Sequence, residues 1–302
     1  MKRAIITGPT GSIGVALIQK LLEEGMYVYA LCRKDSTRLA NIPNHENVKI
    51  IPCDLADLSS AKNHIDHTCD VFYHLGWDGT TGSARDDTYL QNLNVKYSMD
   101  AVKLAHETGC KTFLGVGSQA EYGRSITPLT PASPTNPETG YGIAKLCAGQ
   151  FTRLLCQRYG IKHIWARVFS VYGPYDSSNS LIISAASKMM RGEPVELTKG
   201  EQQWDYLYSS DAANALYLLS INGQDGKIYC IGSGRALPLT YYVEMMRDVF
   251  NPESVIYYGS VPYSEKQIMY LCADTSDLNR DTGFLPNISF REGIEIIRNK
   301  FH

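Results

Sequence analysis

The 302-residue chain lacks a strong charge, a cysteine framework and an internal repeat. A formal net charge of −2 gives no electrostatic reason to expect nucleic acid or an acidic membrane surface as partner. The eight cysteines are scattered without a C-x-x-C pair, and several stand inside apolar runs such as YVYALC, so reduced buried thiols are expected rather than disulfides. His64, His67 and Cys69 do cluster in HIDHTCD, but a zinc site needs a fourth partner and convergence on one point, so a polar surface helix leading into a strand at Val71 is expected. The start, MKRAIITGPTGSIG, meets glycines and a proline too soon for a signal-peptide core or a membrane span. A cytoplasmic protein is the resulting expectation, with no metal.

What is present is an ordinary globular composition, 44% hydrophobic and 20% charged, in a chain long enough for one large unit or two lobes. Strand-like runs (RAIIT, YVYALC, VKIIPC, CDVFYHLG, KTFLGVG, HIWARVFS) alternate with helical patterns, among them one from about Tyr141 to Tyr159. The alternation predicts an α/β fold: a Rossmann-type, doubly wound parallel sheet with helices on both faces. After Tyr172-Gly173-Pro174 the pattern loosens, and DAANALYLLS with KIYCIGS reads as one further helix and strand returning to the first lobe. The expected division is therefore 1–172 plus about 205–235 for a dinucleotide-binding domain, with about 173–204 and 236–302 forming a smaller, discontinuous α/β substrate lobe. A ligand belongs in the cleft beyond the carboxyl ends of the strands.

TGPTGSIG places Gly8, Gly11 and Gly14 between the first strand and the first helix. Glycine there permits a tight turn and lets backbone N–H groups approach a pyrophosphate at the positive end of the helix. The spacing departs by one residue from G-x-G-x-x-G, so the motif leaves open which dinucleotide binds. That choice is read after the second strand, where an acid would hold a ribose 2′-hydroxyl and an arginine a 2′-phosphate. Here Arg33 and Lys34 follow YALC, which favours NADP(H); Asp35 close by keeps NAD(H) as the alternative.

Taken in order, TGPTGSIG, the CDL of 53–55, YHLGW at 73–77, GSQAEYG at 117–123, YGIAK at 141–145 and RVFSVYGP at 167–174 make the chain resemble an extended short-chain dehydrogenase/reductase of the nucleotide-sugar epimerase/dehydratase/reductase type. WDYLYSSD at 204–211 and DTGFLP at 281–286 carry the resemblance nearly to the end. The resemblance implies that the glycine turn (Gly8, Thr10, Gly11, Ser12, Ile13, Gly14) holds the cofactor, that Asp54 and Leu55 border the adenine, and that Leu75 and Gly76 line the way to the nicotinamide.

It also implies a catalytic group of Ser118, Tyr141 and Lys145. A free tyrosine, with a pKa of about 10, exchanges protons reluctantly near neutral pH. Lys145, one helical turn beyond Tyr141, would stabilise the phenolate and hydrogen-bond the cofactor ribose. Ser118, at a strand end, would donate to the substrate oxygen. Without this family order, a tyrosine and a lysine four apart are an aromatic ring and a solvated charge on one helical face.

Relatives that remove water to make 4-keto-6-deoxy sugars carry carboxylates just after the serine or threonine, where this chain has Gln119 and Ala120, with Glu121 one step too far. Epimerases of the family typically show an acid where Arg33 stands. The expected activity is therefore NADPH-dependent reduction of a 4-keto-6-deoxy sugar linked to a nucleoside diphosphate, yielding a deoxyhexose for a bacterial surface glycan. A nucleotide-sugar epimerase is the alternative, and a catalytically silent NADP(H)-binding protein a further one. Arg85, Gln119, Glu121, Ser170 and Trp204 are the candidate substrate contacts, though Glu121 could equally cap a turn. Trp204 stands where relatives often carry an arginine for the diphosphate. The family suggests a homodimer through the helices around 94–108 and 141–159.

Overall fold

In the computed structural model, which describes residues 1–301, the chain begins β1 (Arg3–Thr7), α1 (Ser12–Glu23), β2 (Tyr27–Cys32), β3 (Val48–Pro52) and β4 (Val71–His74). It continues with α2 (Thr88–Glu107), β5 (Thr112–Ser118), α3 (Gly140–Tyr159), β6 (Lys162–Val168), β7 (Ser170–Tyr172), α4 (Leu181–Met190) and β8 (Val195–Leu197). Then come β9 (Gln203–Trp204), β10 (Tyr206–Tyr208), α5 (Ser209–Asn222), β11 (Lys227–Ile231), β12 (Leu237–Pro238), α6 (Leu239–Phe250), β13 (Ile256–Tyr258), α7 (Ser276–Thr282) and α8 (Phe290–Phe301).

Seven strands form one sheet in the order β11-β6-β5-β4-β1-β2-β3, and every neighbouring pair in it is parallel. Such strands are covered on both faces, which is why Ala4, Ile5 and Ile6 are continuous apolar residues with no exposure. Leu17 and Leu21 of α1 pack with Leu216 and Leu219 of α5 in one core. Ala101 and Ala105 of α2 pack with Cys156 of α3 in a second core. The order reverses between β1 and β4, so the crevice above these two strands is the natural place for a ligand.

The helix and strand read from DAANALYLLS and KIYCIGS are α5 and β11, and β11 does return to the sheet, pairing with β6 from Lys227 against Ile164 to Ile231 against Val168. A third core is built by Ile182 and Met189 of α4, Val243 and Met246 of α6, and Ile294 and Ile297 of α8. Among the described residues, no helix is long and apolar enough to cross a membrane. All eight cysteines are unpaired, and all but Cys147 are buried.

HIDHTCD departs from the helix expected there. A 3-10 segment ends at His64, and the backbone N–H groups of Cys69 and Asp70 donate instead to Thr108 O at 3.0 Å and Arg3 O at 2.9 Å. Those bonds to neighbouring segments hold the stretch in a non-helical, bent path up to Val71. Cys69 is turned into the second core, away from any common point with the exposed His67.

Candidate active site

The turn between β1 and α1 forms one wall of a cavity of about 490 Å³. Gly8 sits at φ +70°, and a Cβ there would stand 2.8 Å from Gly76 N; at Gly14 a Cβ would stand 2.2 Å from Gly8 O. The chain therefore closes on itself only with glycine at both places, leaving the start of α1 open to the cavity. Gly8, Thr10, Gly11, Arg33, Leu55, Leu75 and Gly76 line it. This ground fits a dinucleotide: backbone donors and a helix N-terminus at one side, apolar side chains (Leu55, Leu58) at another, and Arg33 at the end of β2.

Other predicted cofactor contacts lie elsewhere. Ile13 packs against the first core. Ser12 has its hydroxyl buried with no partner among the described residues, at the foot of α1. Gly14 serves the turn's closure. Lys34 is exposed and outside the cavity lining, and the Asp54 carboxylate is committed to capping the following 3-10 segment through Ala56 N at 2.9 Å. Sequence reasoning missed Arg38, which lines the same cavity and donates to the Tyr175 carbonyl across the cleft. It belongs to no motif.

The floor of the cleft is held by a buried polar relay. Ser98 Oγ donates to Asn94 O at 2.9 Å, so it accepts from His74 Nε2 at 3.1 Å. His74 Nδ1 then accepts from Thr7 Oγ1 at 2.9 Å, and Thr7 Oγ1 accepts from Gly76 N at 3.0 Å. Burial pushes the His74 imidazole down to about 3, with the Lys145 charge acting the same way, so the ring is neutral and the relay has one direction.

The structure brings Ser118, Tyr141 and Lys145 together. Thr139 caps α3 by accepting from Gly142 N at 3.1 Å, which places Tyr141 in the first turn and Lys145 on the same face one turn on. Ser118 ends β5, and its hydroxyl accepts from Ala120 N at 3.1 Å. Burial raises the Tyr141 phenol above its ordinary value, while the Ser118 hydroxyl and the Arg85 guanidinium pull it back and Glu121 raises it further. Lys145 Nζ donates to Val116 O at 2.7 Å and lies 3.8 Å from the centre of the Trp77 ring. Burial pushes this ammonium down to about 7 against the pull of Glu121. Trp77, missed at the sequence level although it stands inside YHLGW, also meets the Tyr141 ring edge to face at 6.0 Å.

The candidate substrate contacts separate into four situations. Arg85 lies over Tyr141, its guanidinium carbon 4.3 Å from the centre of the ring. Gln119 follows Ser118, and its side-chain oxygen is buried with no partner among the described residues. Ser170 and Trp204 bind each other, the indole N–H donating to Ser170 Oγ at 2.7 Å, and Trp204 also walls an apolar cavity of about 300 Å³ with Leu197, Tyr206 and Leu239.

Glu121 caps the turn and is not a substrate contact. It is fully buried, and its carboxylate accepts from Ser118 N at 2.9 Å, Trp165 Nε1 at 3.0 Å and Arg167 Nε at 2.7 Å. Rather than reaching a substrate, it closes the turn that carries Ser118. Arg167, part of RVFSVYGP but given no role there, is the buried counter-charge.

A family model described as the NAD dependent epimerase/dehydratase family matches residues 4–232. The chain is similar to the CDP-abequose synthase of Salmonella typhimurium, 24% identical over 96% of this chain and 95% of that one. Among solved structures it is similar to a UDP-glucose 4-epimerase from Thermotoga maritima with UDP-glucose, at TM-score 0.90 and 22% identity over 99% of this chain and 98% of that one. It is similar also to a dTDP-glucose 4,6-dehydratase from Streptomyces venezuelae with NAD bound, at TM-score 0.86 and 19% identity over 99% and 97% of the two chains. With the glycine turn, the parallel sheet and the Ser118, Tyr141 and Lys145 cluster on one cleft, this match shows that the chain belongs to the NAD dependent epimerase/dehydratase family, within the extended short-chain dehydrogenases/reductases.

Proposed function

We propose that the protein is an NADPH-dependent reductase of a nucleoside-diphosphate-linked 4-keto-6-deoxy sugar, producing a deoxyhexose of the kind used in bacterial surface glycans. The observation that carries this reading is the state of Glu121. The carboxylate nearest Ser118 in sequence is sealed and triply bonded, and the positions before it are Gln119 and Ala120. No carboxylate is then available after Ser118 to withdraw water from a sugar, which argues against a dehydratase.

When bound, the nicotinamide supplies the hydride that goes to C4 of the sugar. Ser118 donates to the 4-keto oxygen, where negative charge collects. Tyr141 delivers a proton to the same oxygen as it becomes an alkoxide, and Lys145 holds the ribose and stabilises the phenolate left behind. Arg33 and Arg38, both on the cofactor cavity, support NADP(H), since a guanidinium can take a 2′-phosphate with paired hydrogen bonds. The division of labour is part of the proposal: 1–172 with about 205–235 binds cofactor, and about 173–204 with 236–302 receives the nucleotide sugar. So is a homodimer, supported by the exposed Leu93 of α2 and Ile143, Phe151 and Leu154 of α3.

The similarity to epimerase structures supports a second reading, a nucleotide-sugar epimerase using NAD(H) or NADP(H). Incubation with NADPH or NADH and a panel of nucleotide-linked 4-keto-6-deoxy sugars separates the two. Stoichiometric NADPH oxidation with one member of the panel is expected; interconversion of epimers without net cofactor use would favour the epimerase.

A further inference from the structure

We propose that Arg85 is a positioning residue of the Tyr141 proton donor, its guanidinium laid over the phenol ring to supply positive charge that Lys145, held elsewhere, does not supply alone. The Arg85 guanidinium carbon is 4.3 Å from the Tyr141 ring centre, while Lys145 Nζ is 5.8 Å from it. The lysine ammonium is turned to Val116 O and to the Trp77 ring.

The loop that brings Arg85 there is built rather than loose. Gln91, almost wholly buried, donates to Gly79 O at 2.8 Å and Ala84 O at 2.9 Å and accepts from Trp77 Nε1 at 2.8 Å. Asn94, equally buried, exchanges hydrogen bonds with the backbone of Asp78, both at 2.9 Å. Arg85 itself is tied by Nη1 to Thr80 O at 2.9 Å. The loop then docks on the start of α3: Asp86 Oδ1 accepts from Gly140 N at 2.9 Å, and a Cβ on Gly140 would come within 3.1 Å of Arg85 O. Glycine before Tyr141 thus lets the arginine loop approach the tyrosine closely.

The groups facing Tyr141 are Arg85 from this loop, Lys145 from its own helix, Trp77 after β4, Ser118 at the end of β5 and Glu121 after it; Glu121 is matched by Arg167, and Asp86 sits on the helix start. A cation over an aromatic face stabilises the negative phenolate more than the neutral phenol. Arg85 acts in that direction on Tyr141.

This inference rests on Tyr141 being the proton donor, but its test reads the phenol itself and needs no sugar. Fluorotyrosine, whose phenol is more acidic, is incorporated into the full chain, and the ¹⁹F resonance missing from Y141F is followed against pH. In R85M that titration is expected to move up by about one pH unit, a roughly tenfold smaller phenolate fraction at a given pH. R85K, which keeps the charge, is expected to fall between R85M and the wild type. An unmoved titration in both variants, with the other tyrosine resonances unchanged, would overturn the proposal and leave the reductase reading untouched. Conversely, a shift without turnover of any nucleotide sugar would sustain it while the reductase reading fails.

Discussion

Arg167 Nε donates to Glu121 Oε2 at 2.7 Å in a pair whose side chains are 2% and 0% exposed. Through its other oxygen Glu121 holds Ser118 N, so a buried ion pair and a candidate catalytic serine share one support. Removing one partner of such a pair leaves an unmatched buried charge, at a cost of about 3–5 kcal/mol. R167M is therefore expected to lower stability by that order, and E121Q/R167M to recover part of it because neither charge is left alone. Urea unfolding of the wild type, R167M and the double variant checks this. A double variant no more stable than R167M would contradict the pairing.

Replacing Tyr141 by Phe removes the phenolic proton and little else. Turnover is expected to fall by about 10²–10⁴, the range a positioned acid contributes, while NADPH affinity stays within a fewfold of the wild type. A binding module without chemistry would have no turnover for Y141F to lose. Steady-state rates together with NADPH fluorescence titration distinguish the outcomes.

Arg33 and Arg38 stand on the same cavity, although only Arg33 follows the strand motif directly. Charged hydrogen bonds of this kind contribute about 1.5–3 kcal/mol, or about 10–100-fold in affinity. R33S and R38S are each expected to weaken NADPH binding by that order with much less effect on NADH. Equal losses for both cofactors would assign these arginines to a part of the dinucleotide common to both, and no loss for either would leave them as surface charges.

His74 and His163 are buried, and burial pushes them down to about 3 and about 4. An unfolded histidine titrates near 6.5, so the unfolded state takes up protons first as pH falls. Stability from these groups is fully present above about 6.5 and is lost progressively on acidification, by about 1.4 kcal/mol per pH unit for each histidine. Denaturant unfolding between pH 7 and 5 is expected to show this slope, and H163N to reduce it. A slope unchanged by H163N would contradict it.

The central sheet and the glycine turn were legible because each rests on local pattern, apolar strands covered on two faces and glycines at a turn; the Ser118, Tyr141 and Lys145 grouping came from the family resemblance, since Ser118 stands 23 residues before Tyr141 and no period links them. What stayed hidden depends on contacts between distant segments. Glu121 read equally as a site residue near Ser118 or as a turn cap, and the strand carrying Trp165 and Arg167, more than 40 residues away, fixes it as the turn's buried support. Trp77 and Arg38 reach the cleft through loop paths with no period to read. HIDHTCD failed as a helix because its last amides are taken by Thr108 and Arg3.

The reductase chemistry is tested most directly by following one hydride. The purified protein is incubated with NADPH deuterated at the transferring position of nicotinamide C4 and with nucleotide-linked 4-keto-6-deoxy sugars, and the products are examined by mass spectrometry and NMR. One deuteron is expected at C4 of the sugar product for each NADPH oxidised, with the effect lost in Y141F. An epimerised sugar formed without deuterium and without net NADPH oxidation would contradict it.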